Sequence, residues 1–166
     1  MAYKVTNNIT IENAKLMFRN FSGKEGQYNP EGRRNFCVLL GKDISKTLEH
    51  DGWNVKYLKP KDPSDDEQAY LQVAVSFDPY PPKIVLISSS GKTNIEEDEV
   101  NILDWAEIAN VDLIIRPYNW ERNGKGGVKA YLKALYVTIV EDELEAKYRD
   151  VPDSAQNSFP EEYYGD

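Results

Sequence analysis

Between residues 111 and 140, apolar and polar positions alternate with period two in two runs separated by a glycine-rich break. In the first run Val111, Leu113 and Ile115 fall on one side, and Arg116, Tyr118, Trp120 and Arg122 on the other, because successive side chains of a strand point to opposite faces. The second run sets Val128, Ala130, Leu132 and Ala134 against Lys129, Tyr131 and Lys133. The break at 123–127, Asn-Gly-Lys-Gly-Gly, tolerates left-handed backbone and predicts the turn of a hairpin. Past Lys133 the apolar positions become Leu135, Val137 and Ile139, a change of parity that predicts a bulge or face switch near Tyr136.

The rest of the chain reads as shorter elements. Residues 9–21 predict one long strand, with Ala14, Leu16 and Phe18 alternating with Lys15, Met17 and Arg19. A polar loop at 22–32 holds Lys24, Tyr28 and Asn29, and 33–40 predicts a second strand that pairs with the first and is led by Arg33 and Arg34. Asp43 is placed to cap a short helix to His50, with Ile44 and Leu48 four residues apart. Strands are predicted at 54–58, 70–77 and 83–87, separated by an acidic, proline-bearing loop at 60–67 and a proline-rich turn at 78–82. Thr93 and Glu96 have the spacing of a capping box and predict a helix through about Ala109.

Strands, one helix and a closing hairpin, without repeated strand–helix alternation, fit a mainly-β chain: a five-stranded Greek-key barrel of the OB-fold type with one or two short helices and extra strands. The domain spans residues 1–145. From 146 to 166 the chain loses periodicity and becomes acidic and proline-bearing, which predicts a disordered tail.

Charge changes the picture once its distribution is followed. The net charge is −8, which on average disfavours nucleic acid. Yet residues 141–166 hold nine acids and two bases, leaving 18 bases against 19 acids in the other 140 residues. Much of that remaining acidity sits in two clusters, at 62–67 and 96–99, so a basic surface can coexist with an acidic total. A lone cysteine, Cys37, excludes a disulfide framework and a four-ligand zinc site and suggests a reducing compartment. With no leader-like or membrane-length apolar run, the expected location is cytoplasmic.

Catalytic motifs are weak by comparison. Ser88-Ser89-Ser90-Gly91-Lys92-Thr93 resembles the tail of a phosphate-binding P-loop, but Leu86 stands where that loop needs its first glycine. The alternative to an NTPase is a polar loop before a helix. His50, the only histidine, has no nucleophile partner in the sequence, and the acidic runs lack the spaced ligands of a calcium loop. No cofactor, metal or enzymatic activity is expected. The hairpin's polar face is the exception. Alternating cations and rings on one side, with aliphatic residues opposite, suit phosphate neutralisation and base stacking. Packing alone also enriches strands in tyrosine and tryptophan, but a buried face does not tolerate Arg116, Arg122, Lys129 and Lys133.

The candidate nucleic-acid-binding residues are therefore Arg116, Tyr118, Trp120, Arg122, Lys125, Lys129, Tyr131 and Lys133. Lys15, Arg19, Arg33 and Arg34 join them if their strands border the hairpin, with Tyr28 and Lys24 from the loop. Of Trp53, Trp105 and Trp120, only Trp120 is expected at the site.

In its strand order, cationic–aromatic hairpin, preceding helix and acidic ending Glu161-Glu162-Tyr163-Tyr164-Gly165-Asp166, the sequence resembles the replication single-stranded DNA-binding proteins of tailed bacteriophages. The resemblance covers most of the chain and is architectural. It implies a non-enzymatic role in phage DNA replication, recombination or repair. It also implies a tail that recruits replication or recombination proteins, through Glu161, Glu162, Tyr163, Tyr164 and Asp166, and competes with DNA for the basic groove. Two tyrosines stand where many relatives carry a single terminal phenylalanine. An OB-like protein-interaction adaptor is the alternative from another class, and monomer and homodimer are both open.

Overall fold

The computed structural model describes residues 4–141. In chain order its elements are β1 (Ile9–Ile11), β2 (Leu16–Asn20), β3 (Arg34–Leu40), α1 (Lys42–His50), β4 (Val55–Leu58), β5 (Gln68–Val75), β6 (Lys83–Ser88), β7 (Gly91–Asn94), a 3-10 segment (Glu97–Asp104), β8 (Ile108–Arg122) and β9 (Lys125–Ile139). The chain is mainly β, as its patterning implies. The expected tail and the boundary at 145/146 lie outside the described residues.

All nine strands belong to one mixed sheet, with the main path β1-β8-β9-β5-β3-β2 and with β4, β6 and β7 attached to it. The spine is the β8–β9 ladder, which runs without a break in pairing from Ile108↔Ile139 to Arg122↔Lys125 apart from two register shifts. Its turn is shorter than the sequence suggests. Only Asn123 and Gly124 lie outside the strands, both with positive φ (53° and 78°), the geometry in which a two-residue loop follows the strand twist. Lys125, Gly126 and Gly127 are strand residues. The parity change also appears: Ile115 faces Leu132 but Ile114 faces Ala134, so Lys133 is the extra residue of a bulge. Before it Val128, Ala130 and Leu132 face the core; after it Leu135 and Val137 do.

The two ends of the sheet path are consecutive in sequence, and this closes the wall. The predicted strand 9–21 is bent into β1, paired with β8, and β2, paired with β3. At the bend Asn13 takes φ 52°, its amide donating to an Asp112 carboxylate oxygen at 2.9 Å. Ala14 N–H then donates to Val111 O at 2.8 Å, while Lys15 O accepts from Leu39 N–H at 3.0 Å. One bent strand thus bridges β8 and β3, giving the cycle β1/β2, β3, β5, β9, β8 of an OB-like barrel.

Inside, Phe21 stacks on Phe36 at 5.1 Å, beside the fully buried Val38, Val73, Leu113, Ile115, Leu135 and Val137. The helix expected at 93–109 does not form. Thr93 pairs with Leu86 in the β6–β7 hairpin, and only Glu97–Asp104 is helical, as a 3-10 segment. With three residues per turn, Val100 and Leu103 eclipse and both enter the core. Glu96 stands at the N-cap without a side-chain capping bond, so the Thr93–Glu96 spacing is not a capping box. Asp43 likewise sits within the first turn of α1, whose N-cap is Gly41, and favours the positive end of the helix dipole instead.

Replacing Leu135 by Ala, deep under the β8–β9 spine, is expected to cost about 2–5 kcal/mol in urea unfolding. Tyr118→Ala, on the wet face of the same hairpin, is expected to stay within about 0.5 kcal/mol.

Candidate nucleic-acid interface

The hairpin register brings its polar residues together. Arg116 lies opposite Tyr131, Tyr118 opposite Lys129, Trp120 opposite Gly127, and Arg122 opposite Lys125. Directly paired residues share a face, so these side chains form one surface. Tyr118 is 52% exposed and Trp120 41%, and Arg122, Lys125, Lys129 and Lys133 are exposed as well. Tyr118 and Tyr131 meet edge to face at 5.9 Å. Arg116 lies over the Tyr131 ring at 4.6 Å and Lys129 over it at 5.0 Å. Such cation–ring contacts contribute about 0.5–1 kcal/mol each at exposed sites. They also hold the cations in place while leaving their charge uncompensated.

Behind this face the hairpin is braced. Asn119 points the other way, its side chain accepting from Val5 N–H at 2.9 Å and donating to Val5 O at 2.7 Å. Trp120 lies flat against the opposite strand, where a Cβ on Gly127 would stand 3.1 Å from the indole. Gly127 is therefore what lets the ring settle on the backbone.

Beside Trp120 opens a cleft of about 500 Å³, walled by Lys129 and Gly127 on β9, Gln72 and Ala74 on β5, and Arg33 and Asn35 at the start of β3. The short parallel contact Val73↔Ala130, Ala74↔Tyr131 brings these strands together. Trp53 lines the cleft too, although only 3% exposed, held by the Trp53↔Val128 bridge and the Val128 N–H to Gly52 O bond of 2.9 Å. Trp53 and Trp120 thus line one cleft, where the sequence singles out Trp120 alone. The 22–32 loop is tied to the cleft residue Asn35. Asn35 donates to the Asn29 side chain at 2.9 Å, and Asn29 itself donates to Lys24 O at 2.8 Å. Tyr28, at the tip of a tight Gly26–Asn29 turn, is 89% exposed.

Three predicted cations are placed elsewhere. Arg34 faces the barrel end, paired with Glu97 at 3.1 Å and 5.5 Å over the Phe77 ring. Arg19 donates to Leu103 O and Ala106 O at 3.0 and 2.9 Å, closing the end of the 3-10 segment. Lys15 lies near Arg19 and Trp105, by the opposite end of the hairpin from Trp120. Residues that pattern reading missed include Trp53, Asn35 and Gln72 in the cleft, and Tyr80 and Lys83 next to Arg116. Phe18, at φ 52° and exposed, meets Tyr70 edge to face at 6.4 Å further along the outer sheet face. Cys37 is buried in β3, and burial pushes its thiol pKa up, with Lys56 pulling partly against the rise.

Gly91-Lys92-Thr93 does not form a phosphate cradle. Ser88 pairs with Gly91 across a two-residue turn and the chain continues as β7, with no helix N-terminus there. The Ser89 amide donates to the Glu141 carboxylate at 3.1 Å. Among the described residues no His/Cys/Asp/Glu cluster could hold a metal ion, and no helix is long and apolar enough to cross a membrane.

A family model described as "Putative phage ssDNA-binding domain" matches residues 1–162. Among solved structures, the single-stranded DNA-binding protein from bacteriophage Enc34 in complex with ssDNA is similar with a TM-score of 0.53 at 14% identity, covering 84% of this chain and 94% of that one. Another structure of the single-stranded DNA-binding protein from bacteriophage Enc34 gives 0.52 at 14% identity, covering 93% and 95%, and its C-terminal truncation gives 0.50 at 14%, covering 81% and 87%. At that identity the likeness is one of fold. No curated protein matches in sequence.

Gly127→Ala is expected to lift the Trp120 indole from the backbone and red-shift its emission, with Trp120→Phe as the blank. An unchanged spectrum would mean that the ring does not rest there.

Proposed function

The chain belongs to the phage ssDNA-binding domain family, and from that premise we propose that it is a sequence-tolerant single-stranded DNA-binding protein without catalytic activity. The observation that carries this is the single wet surface on which Arg116, Tyr118, Trp120, Lys129 and Tyr131 converge. Lys and Arg neutralise phosphates and release counterions whatever the sequence, and rings stack on any base. Arg122 and Lys125 extend the charge to the hairpin tip, and Lys133 extends it in the other direction. Arg33 continues it across the cleft, whose wall is held by the bonds of Asn35 to Asn29 and of Gln72 to Asn35. Tyr28 and Lys24 join the contact set from the loop that Asn29 ties to Asn35. Lys15, Arg19 and Arg34 drop out of the contact set, two of them being occupied by structural partners.

The setting we propose is phage DNA replication, recombination or repair in the host cytoplasm. The segment 146–166 is read as an acidic tail that competes with DNA for the basic face and, once displaced, recruits replication or recombination proteins through Glu161, Glu162, Tyr163, Tyr164 and Asp166. Its charge supports this: residues 146–166 carry five acids and two bases, net −3, while the face is cationic. Tethering raises the local concentration of such a competitor without requiring tight contacts.

Titration with oligo-dT is expected to show binding that weakens steeply with salt and exceeds that for the matching duplex. Trp120→Ala and Tyr118→Ala are each expected to lose about 1–3 kcal/mol of affinity with the salt slope retained. Binding that ignores salt, or no binding, would instead favour a protein-interaction adaptor. Deletion of residues 146–166 should tighten DNA binding at low salt and matter little at high salt; equal affinity throughout would remove the competition.

A further inference from the structure

The polar face of the hairpin does not end at Tyr131. Beyond it a recess of about 320 Å³ opens between β9 and the turn that precedes β6, floored by Leu132 and edged by Tyr80, Lys83, Arg116 and Lys133. Three cations converge on it and no carboxylate lines it. In a chain of net charge −8 this is unusual, the more so because none of the three forms an ion pair among the described residues. Left uncompensated, such charges repel one another, so the arrangement is favourable chiefly with an anion between them.

The recess is also shaped. Tyr80 is 71% exposed, yet it sits in the run Pro79-Tyr80-Pro81-Pro82, whose fixed φ angles and buried Pro82 restrict how the ring can move. The Arg116 guanidinium lies 6.0 Å from the Tyr80 ring and 4.6 Å from the Tyr131 ring, so it joins the two platforms. Lys133 is the extra residue of the β9 bulge, a distortion that re-aims a side chain relative to a regular strand. Lys83 comes from the parallel neighbour, where Lys83 pairs with Ala134.

The geometry points to a second nucleotide seat, and this rests on the DNA-binding reading above. An internal phosphodiester of the bound strand lies among Lys83, Arg116 and Lys133, and its neighbouring base stacks on Tyr80. Six residues separate Gly127 from Lys133 along β9, about 20 Å at ~3.4 Å per residue. The bound strand therefore runs along the hairpin from the Trp120 cleft to this recess, and Tyr80 and Lys83 become DNA contacts that lie outside the hairpin altogether.

The test uses the full chain, oligo-dT of about 16 nucleotides, at the upper end of single-domain site sizes, and a salt series. Lys83→Ala/Lys133→Ala is expected to flatten the slope of log K against log salt by up to about 0.7, the share of the one phosphate the pair helps to neutralise. Tyr80→Ala is expected to weaken binding at least about fivefold with the slope unchanged, and Tyr80→Phe to restore it. All three residues are exposed, so circular dichroism should report an unaltered fold. If Trp120→Ala weakens binding while every recess variant matches wild type, the recess is not a nucleotide seat and the DNA-binding reading stands. A loss in Tyr80→Ala with an unchanged slope in the lysine pair overturns the phosphate position. A slope change that disappears when residues 146–166 are deleted would assign the recess to the tail. If wild type fails to bind oligo-dT, both readings fall.

Discussion

Parity governs this molecule. A strand has two faces, and the long β8–β9 ladder assigns one to the core and the other to water along its outer half. Because paired residues in an antiparallel ladder share a face, fixing the register for Leu113, Ile115, Leu132 and Leu135 also gathers Arg116, Tyr118, Trp120, Lys129 and Tyr131. A slip of one residue would bury the cations and expose the aliphatic side chains. Core stability and the candidate site therefore depend on the same pairing, and no separate device is needed to hold the rings together. The ladder shifts register at Ala109 and at Lys133, and the bulge at Lys133 lets a single strand serve the core with even positions before it and odd positions after.

Much of the hairpin was legible because its information is local. Period-two alternation, an Asn-Gly pair and a change of parity can all be read within thirty residues. The bend at Asn13 was not, since a strand pattern says nothing about which partner each half will find. The cleft was hidden for the same reason: a two-residue contact between β5 and β9 and a lone bridge from Trp53 build it, and neither leaves a pattern in the chain. The misread helix shows a different failure. Thr93 and Glu96 have the spacing of a cap, but the backbone of Thr93 is engaged by Leu86 across the β6–β7 turn, and a cross-strand pairing prevails over a local cap. Arg19 and Arg34 looked like free cations because sequence does not reveal the carbonyls and the glutamate that occupy them.

The molecule also separates its charges. Arg34 and Lys42 have acidic partners within the body, whereas Arg116 and Lys129 of the hairpin are stacked on rings, which orients them without neutralising them. A ring is a suitable partner for a cation that must later meet a phosphate, because its attraction is weak enough to share. Net charge alone would have led away from nucleic acid, while the arrangement leads toward it.

The closure at Ala14 and Lys15 relies on main-chain groups alone, one N–H given to β8 and one C=O offered to β3. Mutation cannot delete a peptide carbonyl, and removes an amide hydrogen only by introducing proline. Apart from Asp112, whose carboxylate holds the Asn13 bend, side chains at this junction are free to drift while the wall stays shut. A fold sealed in this way can keep its outline long after its descendants have ceased to look alike in sequence.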